Sequence, residues 1–183
     1  WLSEKFNNVE SHSLELDNVF KNFENTLSDF KSEHGMANSR ARLRMTTLYQ
    51  VAAANKGIVV GTGNKVEDFG VGFYTKYGDG GVDLSPIADL MKSEVFKLAK
   101  SLNIYKDILE APPTDGLWDN NQTDEDQIGA TYEELEWAMK NKETKNLSQR
   151  EKEVLKIYNH LHNTNKHKMT PIPVWNIPDN IKD

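Results

Sequence analysis

The residues best suited to chemistry begin with a glycine-containing loop that follows a short β-branched run. Residues 58–60 read Ile-Val-Val, and residues 61–65 read Gly-Thr-Gly-Asn-Lys. Small residues after a strand let backbone N–H groups approach a phosphate, and open α/β sheets bind their ligands at this position. However, Val66 stands where the dinucleotide-binding fingerprint has its third glycine, and the sequence has no Walker-type lysine spacing. The loop therefore fits a nucleotide site, and a plain strand-to-helix turn is the alternative.

Two carboxylates, Glu67 and Asp68, lie directly after this loop. Mg²⁺ in nucleotide sites prefers one or two carboxylates together with phosphates and waters, so a carboxylate here could hold a magnesium ion against ATP. The alternative is an acidic pair in the first turn of a helix, where the helix dipole favours negative charge.

A second unusual segment is residues 75–81, which read Thr-Lys-Tyr-Gly-Asp-Gly-Gly. Three glycines make this segment poor helix and poor core, so we expect a shaped loop. Such a loop presents backbone donors, a cation and a carboxylate together, which suits a ligand with phosphate and ribose groups. A hairpin with a solvated charge pair is the alternative.

Three arginines and three histidines are candidate ligands for an anion or a metal. Arg40, Arg42 and Arg44 recur at a spacing of two, so on a helix they fan out over different faces and at least one points inward. Its partner would be a pyrophosphate, a carboxylate or an intramolecular acidic side chain. His160, His162 and His167 could suggest zinc, but histidines two residues apart on a helix point apart and no further ligand is evident, so we do not expect them to bind zinc.

The composition limits the class of protein. A chain of 183 residues with 37% hydrophobic content predicts one domain with a real core. The net charge of −6 is spread along the chain, which argues against a general nucleic-acid or anionic-membrane surface. The absence of cysteine excludes disulfides, thiolate zinc sites and cysteine nucleophiles. No apolar run is long enough to span a bilayer, so we expect a cytoplasmic location.

In the first half of the chain the pattern predicts alternating strands and helices. We expect a strand at residues 13–16, a helix capped by Asp17, a loop at residues 32–37 and a long helix capped by Asn38. The helix stops at residues 55–57 (Asn-Lys-Gly), and residues 58–60 read as a buried strand of a parallel sheet.

The second half reads as helices around one long loop. Ser93 is the predicted cap of a helix, and residues 111–127, with two prolines and no periodicity, read as a long functional loop. Two capping boxes, Thr131 with Glu134 and Ser148 with Glu151, predict two further helices. We expect residues 170–183 to form an extended C-terminal tail.

Taken in this order, these segments resemble the ammonia-dependent NAD⁺ synthetase family, part of the adenine-nucleotide α-hydrolase-like group. The most specific matching stretches are residues 38–45, 59–68 and 73–83. The resemblance continues through Pro86, Lys92, Pro113-Thr114, Leu117-Trp118, Thr123-Asp124-Glu125, Gly129, Thr131-Tyr132-Glu133 and His167-Lys168. It implies that residues 1–183 form a single α/β domain, a Rossmann-like three-layer α/β/α fold with a parallel sheet, incomplete at its N-terminus.

The resemblance also implies a reaction in two steps. The carboxylate of nicotinic acid adenine dinucleotide (deamido-NAD) attacks the α-phosphate of ATP, which gives an adenylate and pyrophosphate. Ammonia then displaces AMP and forms the amide of NAD⁺. Both steps develop negative charge, so we expect catalysis by positioning and by fixed cations, with Mg²⁺ as cofactor and no protein nucleophile.

Individual roles follow from the positions that match. The resemblance implies that Thr62, Lys92 and Thr114 contact ATP and that Glu67 binds Mg²⁺. It implies a deamido-NAD site built across a homodimer interface, and it implies that residues 111–127 order over the substrate. The residues implied for that site are Arg42, Lys76, Asp83, His167 and Lys168.

Two departures from the family pattern qualify these expectations. The family carries a Ser-Gly-Gly-x-Asp-Ser phosphate loop near its N-terminus, and this sequence contains none, so we expect the chain alone to be inactive. The start at Trp1 favours loss of an N-terminal third over a different design. In addition, one extra residue lies between Glu67 and Lys76 relative to the commoner family spacing.

Two other readings of the function stay open at this point. One is another ATP-pyrophosphatase amidoligase, such as the synthetase that aminates xanthosine monophosphate to GMP. Residues 75–81 and the His167-Lys168 pair argue against it. The other is a non-catalytic remnant that retains a dinucleotide pocket.

Overall fold

Helices dominate the architecture of the chain. A computed structural model describes residues 1–117, 122–141 and 145–182. Its α-helices are Leu2–Lys5 (α1), Asp17–Thr26 (α2), Glu33–Ala54 (α3), Lys92–Ser101 (α4), Lys106–Glu110 (α5), Asp124–Ile128 (α6), Tyr132–Lys140 (α7) and Gln149–Met169 (α8). A π-helical turn spans Val66–Val71, and short 3-10 turns span Ser28–Phe30 and Asp179–Ile181. None of the helices in the described ranges is long and apolar enough to cross a membrane.

Within the described ranges, strand pairing consists of one parallel bridge between Val60 and Leu84. Gly61 N donates to Leu84 O at 2.7 Å, and Asp83 N donates to Val59 O at 2.9 Å. The prediction that residues 58–60 form a buried strand is wrong for two of the three residues. Val59 is 6% exposed, but Ile58 is 62% and Val60 52% exposed. Their outer faces stay open because, in the described ranges, no other strand lies beside them.

Several predicted element starts are also wrong. Residues 13–16, predicted as a strand, have no regular secondary structure. Asp17 is the first residue of α2 rather than its cap. Residues 33–37 are helical instead of a loop, because the Ser32 hydroxyl accepts the N–H of Gly35 at 3.1 Å and starts α3 well before Asn38. A local cap outweighed the helix-breaking tendency of glycine.

Helix α4 begins two residues earlier than predicted, because its N-cap is Met91 and not Ser93. Glu94 Oε2 accepts the N–H of Met91 at 2.8 Å, which caps the helix from within its first turn. Ser93, the predicted cap, instead donates its N–H and its hydroxyl to the two carboxylate oxygens of Glu136, each at 2.8 Å. These bonds tie α4 to α7 through a glutamate that is 7% exposed.

Other local signals are confirmed. Helix α3 ends at Ala54, and Asn55 is its C-cap. Both predicted capping boxes are present. The Thr131 and Ser148 hydroxyls accept the N–H groups of Glu134 and Glu151, which in turn accept the cap N–H groups. The predicted loop at residues 111–127 is irregular over residues 111–117, but it ends in α6 from Asp124, and residues 118–121 lie outside the described residues.

The core lies where α7 and α8 pack on the π-helical turn. Its most buried members are Leu135, Val66, Val71 and Val154, each at most 1% exposed. Burial of such side chains contributes about 1.5–3 kcal/mol each. The turn that carries the candidate metal ligand Glu67 is therefore anchored in this core.

Side chains of α8 also bind the backbone at the end of this turn. His162 Nδ1 lies 2.7 Å from Gly70 O, and Asn165 Nδ2 donates to Val71 O at 2.8 Å. Lys168 Nζ donates to Gly72 O at 2.8 Å and to Tyr74 O at 2.6 Å. Because a carbonyl oxygen can only accept, Nδ1 of His162 carries the proton. These three side chains recur every three residues along one face of α8.

Gly72 provides a test of this close packing. Its φ is +64°, and a Cβ there would lie 2.4 Å from Asn165 Cβ. Gly129 has a φ of +83°, but the nearest atom to its Cβ position, on Ile157, is 3.8 Å away. We expect Gly129→Ala to cost about 1–2 kcal/mol for backbone strain alone, and Gly72→Ala to cost about 2 kcal/mol more for the clash. Urea unfolding measures both, and equal losses would contradict the packing argument.

Glu134 provides a pH test of the contact between α7 and α8. Arg150 donates to both its oxygens at 2.7 Å, and these bonds lower the pKa of Glu134 to about 2. A lowered pKa in the folded state stabilises the fold above the ordinary value of 4.5 and loses this effect as the pH falls toward 2. We expect Glu134→Gln to lower Tm by about 2–4 °C at neutral pH, and by less at about pH 3.

The matched control is Glu133→Gln, which removes the neighbouring exposed charge on the same helix. Its Tm should stay within about 1 °C of the wild type. If Glu134→Gln lowers Tm by the same amount at neutral pH and at about pH 3, the bonds from Arg150 do not lower the pKa of Glu134.

Candidate functional site

A cleft of about 250 Å³ lies between the loop after Val60, the π-helical turn and the C-terminal end of α8. Its lining includes the glycine-containing loop and three aromatic side chains, those of Phe69, Phe73 and Tyr74. The lining residues are Gly61, Thr62, Gly63, Glu67, Asp68, Phe69, Phe73, Tyr74, Asp79, Gly80, Val82, Ser85, Lys168 and Met169. The cleft therefore joins residues from three of the segments that the sequence singled out.

Glu67 enters the cleft from the first turn of the π-helical segment. Asn64, 2% exposed, accepts the N–H groups of Val66 and Glu67 at 3.1 and 3.2 Å and so fixes the start of this turn. Lys92 Nζ lies 2.9 Å from Glu67 Oε1. The predicted ATP-binding lysine and the predicted metal-binding carboxylate are thus an ion pair, and both side chains are largely buried.

Tyr132 completes this group. Its hydroxyl lies 2.6 Å from Glu67 Oε1 and 3.1 Å from Asp124 Oδ2, and Lys92 Nζ lies 4.6 Å from the centre of its ring. Burial and the two nearby carboxylates raise the pKa of Tyr132, so the phenol stays un-ionised. Burial also raises the pKa of Asp124, whose Oδ1 is buried and has no hydrogen-bond partner among the described residues.

Thr114 is linked to this group through the backbone. Asp124 N donates to Pro113 O at 3.0 Å, which holds the segment just before Thr114 against the start of α6. The Thr114 hydroxyl donates to Gln122 O at 3.2 Å. Of the three residues predicted for ATP, Lys92 contacts Glu67, Thr62 lines the same cleft, and Thr114 only follows the residue that binds Asp124.

Two further carboxylates, those of Asp68 and Asp79, line the cleft. Burial, followed by the charges of Glu67 and Asp79, raises the pKa of Asp68 to about 6. Loss of solvation also raises the pKa of Asp79, although the N–H of Thr75 donates to it at 3.0 Å. Burial and these carboxylates raise the pKa of Tyr74 to about 12. The cleft therefore holds carboxylates that bind protons or cations more readily than solvated ones do.

Four of the five residues predicted for deamido-NAD lie together around residues 72–76. Arg42 donates to Lys76 O from Nε at 3.3 Å and Nη2 at 3.2 Å, and Lys76 Nζ donates to His167 O at 2.7 Å. Lys168 binds the carbonyls of Gly72 and Tyr74. Burial lowers the pKa of Lys168. Helices α3 and α8 thus meet at this loop through cationic side chains.

The fifth residue, Asp83, lies apart from this group. Its carboxylate accepts the Tyr49 hydroxyl at 3.1 Å and the N–H of Val59 at 2.8 Å. Tyr49 follows Arg42 by seven residues on α3, which places the two about 10 Å apart along one face of the helix. Asp83 therefore joins the strand bridge to α3 at Tyr49, away from Arg42 and Lys76.

Arg40 and Arg44 bind the backbone of the loop at residues 115–117. Arg44 donates to the carbonyls of Asp115 and Gly116 at 3.2 and 3.0 Å, and Arg40 donates to Leu117 O. Arg40 also stacks over the ring of Phe20 at 4.5 Å. The partners of all three arginines are backbone carbonyls rather than the anion expected from the sequence, and α3 holds both candidate ligand loops.

The residues around Glu67 fit a magnesium ion better than a metal coordinated wholly by protein. In the described ranges, no set of three or more His, Cys, Asp and Glu side chains is arranged to hold a metal. Glu67 uses Oε1 for Lys92 and Tyr132, which leaves Oε2 for a cation. Mg²⁺ accepts one carboxylate when phosphates and waters supply the other ligands.

Sequence reasoning missed Tyr132 and Asp124 as members of the site. Both residues lie in stretches that resemble the family, but a tyrosine eight residues after an aspartate does not by itself indicate a binding or catalytic site. Tyr132 is 65 residues from Glu67, and a contact over this distance has no local sequence signal. Tyr74 and Asp79 belong to segments that the sequence singles out, but it gives no role to Tyr74 and only a general ligand-binding role to the Asp79 carboxylate.

Comparison with known proteins identifies the family. The profile of the NAD synthase family matches residues 2–172. An NH3-dependent NAD⁺ synthetase of Alkaliphilus oremlandii is 40% identical over 175 residues, which cover 94% of this chain and 64% of that protein. Several other curated synthetases are similar, and the chain spans about half the length of those relatives.

Two solved structures share the fold. The structure of an NMN synthetase from Francisella tularensis matches with a TM-score of 0.82 and 35% identity over 93% of this chain and 68% of that one. An NH3-dependent NAD synthetase from Campylobacter jejuni matches with a TM-score of 0.66 and 25% identity over 89% of this chain and 64% of that one. Since the family profile spans nearly the whole chain and solved synthetases share its fold, the chain belongs to the NAD synthase family.

Proposed function

We propose that this chain forms the ATP-facing and dinucleotide-facing part of an ammonia-dependent NAD⁺ synthetase. The reaction is the amidation of deamido-NAD with ammonia, through an adenylate, with release of AMP and pyrophosphate. The observation that carries the proposal is the gathering of Arg42, Lys76, His167 and Lys168 at one loop, beside the cleft that holds Glu67. Curated relatives named NH3-dependent NAD⁺ synthetases support it.

On the ATP side, Lys92 is the cation that meets the phosphates, with Thr62 and Thr114 as hydroxyl ligands. A lysine ammonium has three donors, and Lys92 uses one of them on Glu67. Glu67 is the carboxylate that holds Mg²⁺, which when bound would neutralise phosphate charge during adenylation. The side chains of this group position ATP and oppose its charge, and none acts as a nucleophile.

On the dinucleotide side, the cationic group at residues 72–76 meets the pyrophosphate and carboxylate of deamido-NAD. Lys76 and Lys168 each bind backbone carbonyls and keep further N–H donors for a ligand. Arg42 is planar and bidentate, which suits phosphate recognition. Asp83, on the α3 side, suits the hydroxyl groups of a ribose.

The finer features of the fold and assembly are part of the same proposal. The Val60–Leu84 bridge belongs to the parallel sheet of a three-layer α/β/α fold, and the exposed faces of Ile58 and Val60 are consistent with further strands beside it. The loop at residues 111–127 covers the bound substrate, and Arg40 and Arg44 hold the backbone of its residues 115–117. The protein works as a homodimer in the cytoplasm.

A second substrate is favoured by one observation. The NMN synthetase of Francisella tularensis matches with a higher TM-score and a higher identity than the Campylobacter jejuni NAD synthetase. Amidation of nicotinic acid mononucleotide would use the same adenylate chemistry on a smaller substrate. The two candidates differ in whether the adenosine half of the dinucleotide contributes to binding.

Calorimetric titration with deamido-NAD and with nicotinic acid mononucleotide tests the substrate. We expect deamido-NAD to bind more tightly, and Lys76→Ala to weaken it by about ten-fold or more because a charge-assisted contact to phosphate is lost. Lys97→Ala, which removes an exposed lysine of α4, is the matched control and should have no effect. Tighter binding of the mononucleotide would favour the second candidate, and no binding of either by folded protein would refute both.

Titration with ATP tests the metal role of Glu67. We expect Mg²⁺ to raise the affinity of the wild type for ATP by about ten-fold or more, and Glu67→Gln to lose most of this increase. Glutamine keeps an oxygen for Tyr132 but lacks the charge that holds the cation. ATP affinity measured with a chelator should change little. An undiminished Mg²⁺ effect in Glu67→Gln would assign the metal to other residues.

A further inference from the structure

Tyr132 is the residue through which Glu67, Lys92 and Asp124 meet. Its side chain is 7% exposed, and its hydroxyl lies within 3.1 Å of both carboxylates. Its ring lies beneath the ammonium of Lys92. The proposed function gives roles to Glu67 and Lys92 but none to this phenol.

The distances identify which contact the phenol proton makes. A phenol has a single proton, and the 2.6 Å separation from Glu67 Oε1 is typical of a charge-assisted O–H···O⁻ bond. The 3.1 Å separation from Asp124 Oδ2 is ordinary. Tyr132 therefore donates to Glu67, and the oxygen of Glu67 that it binds is the one that Lys92 also binds.

The position of the hydroxyl is set by the rigid start of α7. Thr131 caps this helix, and the N–H of Tyr132 donates to Glu125 Oε1 at 2.8 Å, which joins α7 to α6. The ring packs in the main core cluster. Glu67 and Lys92, by contrast, are longer and more flexible side chains, so a fixed donor and a fixed ring face decide where they lie.

We propose that Tyr132 is a positioning residue for the ATP side of the site. Its hydroxyl binds one oxygen of Glu67 and thereby turns the other oxygen toward the cleft, and its ring together with Glu67 holds the ammonium of Lys92 in place. This inference rests on the proposed roles of Glu67 in holding Mg²⁺ and of Lys92 in binding ATP. Residues that orient a metal ligand change metal affinity by about 10–100-fold when they are replaced.

Tyr158 shows that a core tyrosine in this protein does not need such a bond. It packs against the same core cluster, and its ring stacks with His162 at 5.7 Å. Among the described residues its hydroxyl has no hydrogen-bond partner. Tyr158→Phe therefore removes a phenol oxygen from the same core without altering Glu67, and it is the matched control for Tyr132→Phe.

The binding test compares these two variants. We expect Tyr132→Phe to weaken ATP binding in the presence of Mg²⁺ by about ten-fold or more and to leave deamido-NAD binding within about two-fold of the wild type. Tyr158→Phe should change neither. Unchanged Mg²⁺–ATP binding in Tyr132→Phe would overturn the proposal, and so would equal losses for both ligands, since a general structural defect would have that effect.

A second measurement needs no bound nucleotide. Tyrosines labelled at Cζ are observed by NMR at about pH 7.5 with a chelator, and the Tyr132 and Tyr158 signals are assigned from the two phenylalanine variants. We expect Glu67→Gln to shift the Tyr132 signal and not the Tyr158 signal, because the charge that accepts the phenol proton is removed.

The NMR result separates failure of this inference from failure of the proposed function. If the folded wild type binds neither ATP nor deamido-NAD, the proposed function fails, and the response of the Tyr132 signal alone decides whether Tyr132 positions Glu67. If Tyr132→Phe does not fold, the response of the Tyr132 signal to Glu67→Gln still decides whether Tyr132 positions Glu67. The Tyr132 signal is then assigned by eliminating the signals of the other tyrosines, which are identified from their own variants. A Tyr132 signal that does not respond to Glu67→Gln overturns the inference.

Discussion

The carbonyl groups at the end of the π-helical turn need donors, and the geometry of the site depends on where these donors come from. A buried carbonyl without a partner costs about 1–3 kcal/mol. Helix α8 supplies His162, Asn165 and Lys168 to the carbonyls from Gly70 to Tyr74. This requirement fixes α8 against the turn. It therefore places His167 beside Lys76 at one end of the turn, while Glu67 faces the cleft at the other.

The same cations serve the fold and the proposed ligand site. Lys168 stabilises the backbone of Gly72 and Tyr74, and Arg42 stabilises that of Lys76. Such contacts preorganise the cations, so less side-chain entropy is lost when a ligand binds. This arrangement lowers the stability of the fold, because burial lowers the pKa of Lys168 and so disfavours its charged form. An anionic ligand would reverse this effect.

The sequence predicted local signals better than long-range contacts. Both C-terminal capping boxes and the stop of α3 are confirmed, because each depends on residues within one turn. The predicted start of α3 at Asn38 was wrong because Ser32 caps the helix earlier. Gly35, which follows Ser32, had favoured a loop at residues 32–37. The β-branched run at residues 58–60 predicted a buried Val60, and this is wrong because burial depends on neighbouring strands, which the run itself does not specify. The contact between Tyr132 and Glu67 depends on the whole fold.

Charge pairing around Glu67 explains why a metal and a nucleotide are expected to bind together. Glu67 and Lys92 neutralise each other in a largely buried position, where an unpaired charge is strongly unfavourable. If Lys92 turns toward a phosphate, Glu67 loses its counter-charge, and a cation is needed to replace it. If a cation binds Glu67 first, Lys92 is freed and needs an anion. Under the proposed roles of Glu67 and Lys92, phosphate and a divalent cation would therefore favour each other's binding, and the side chain of Lys92 would link them.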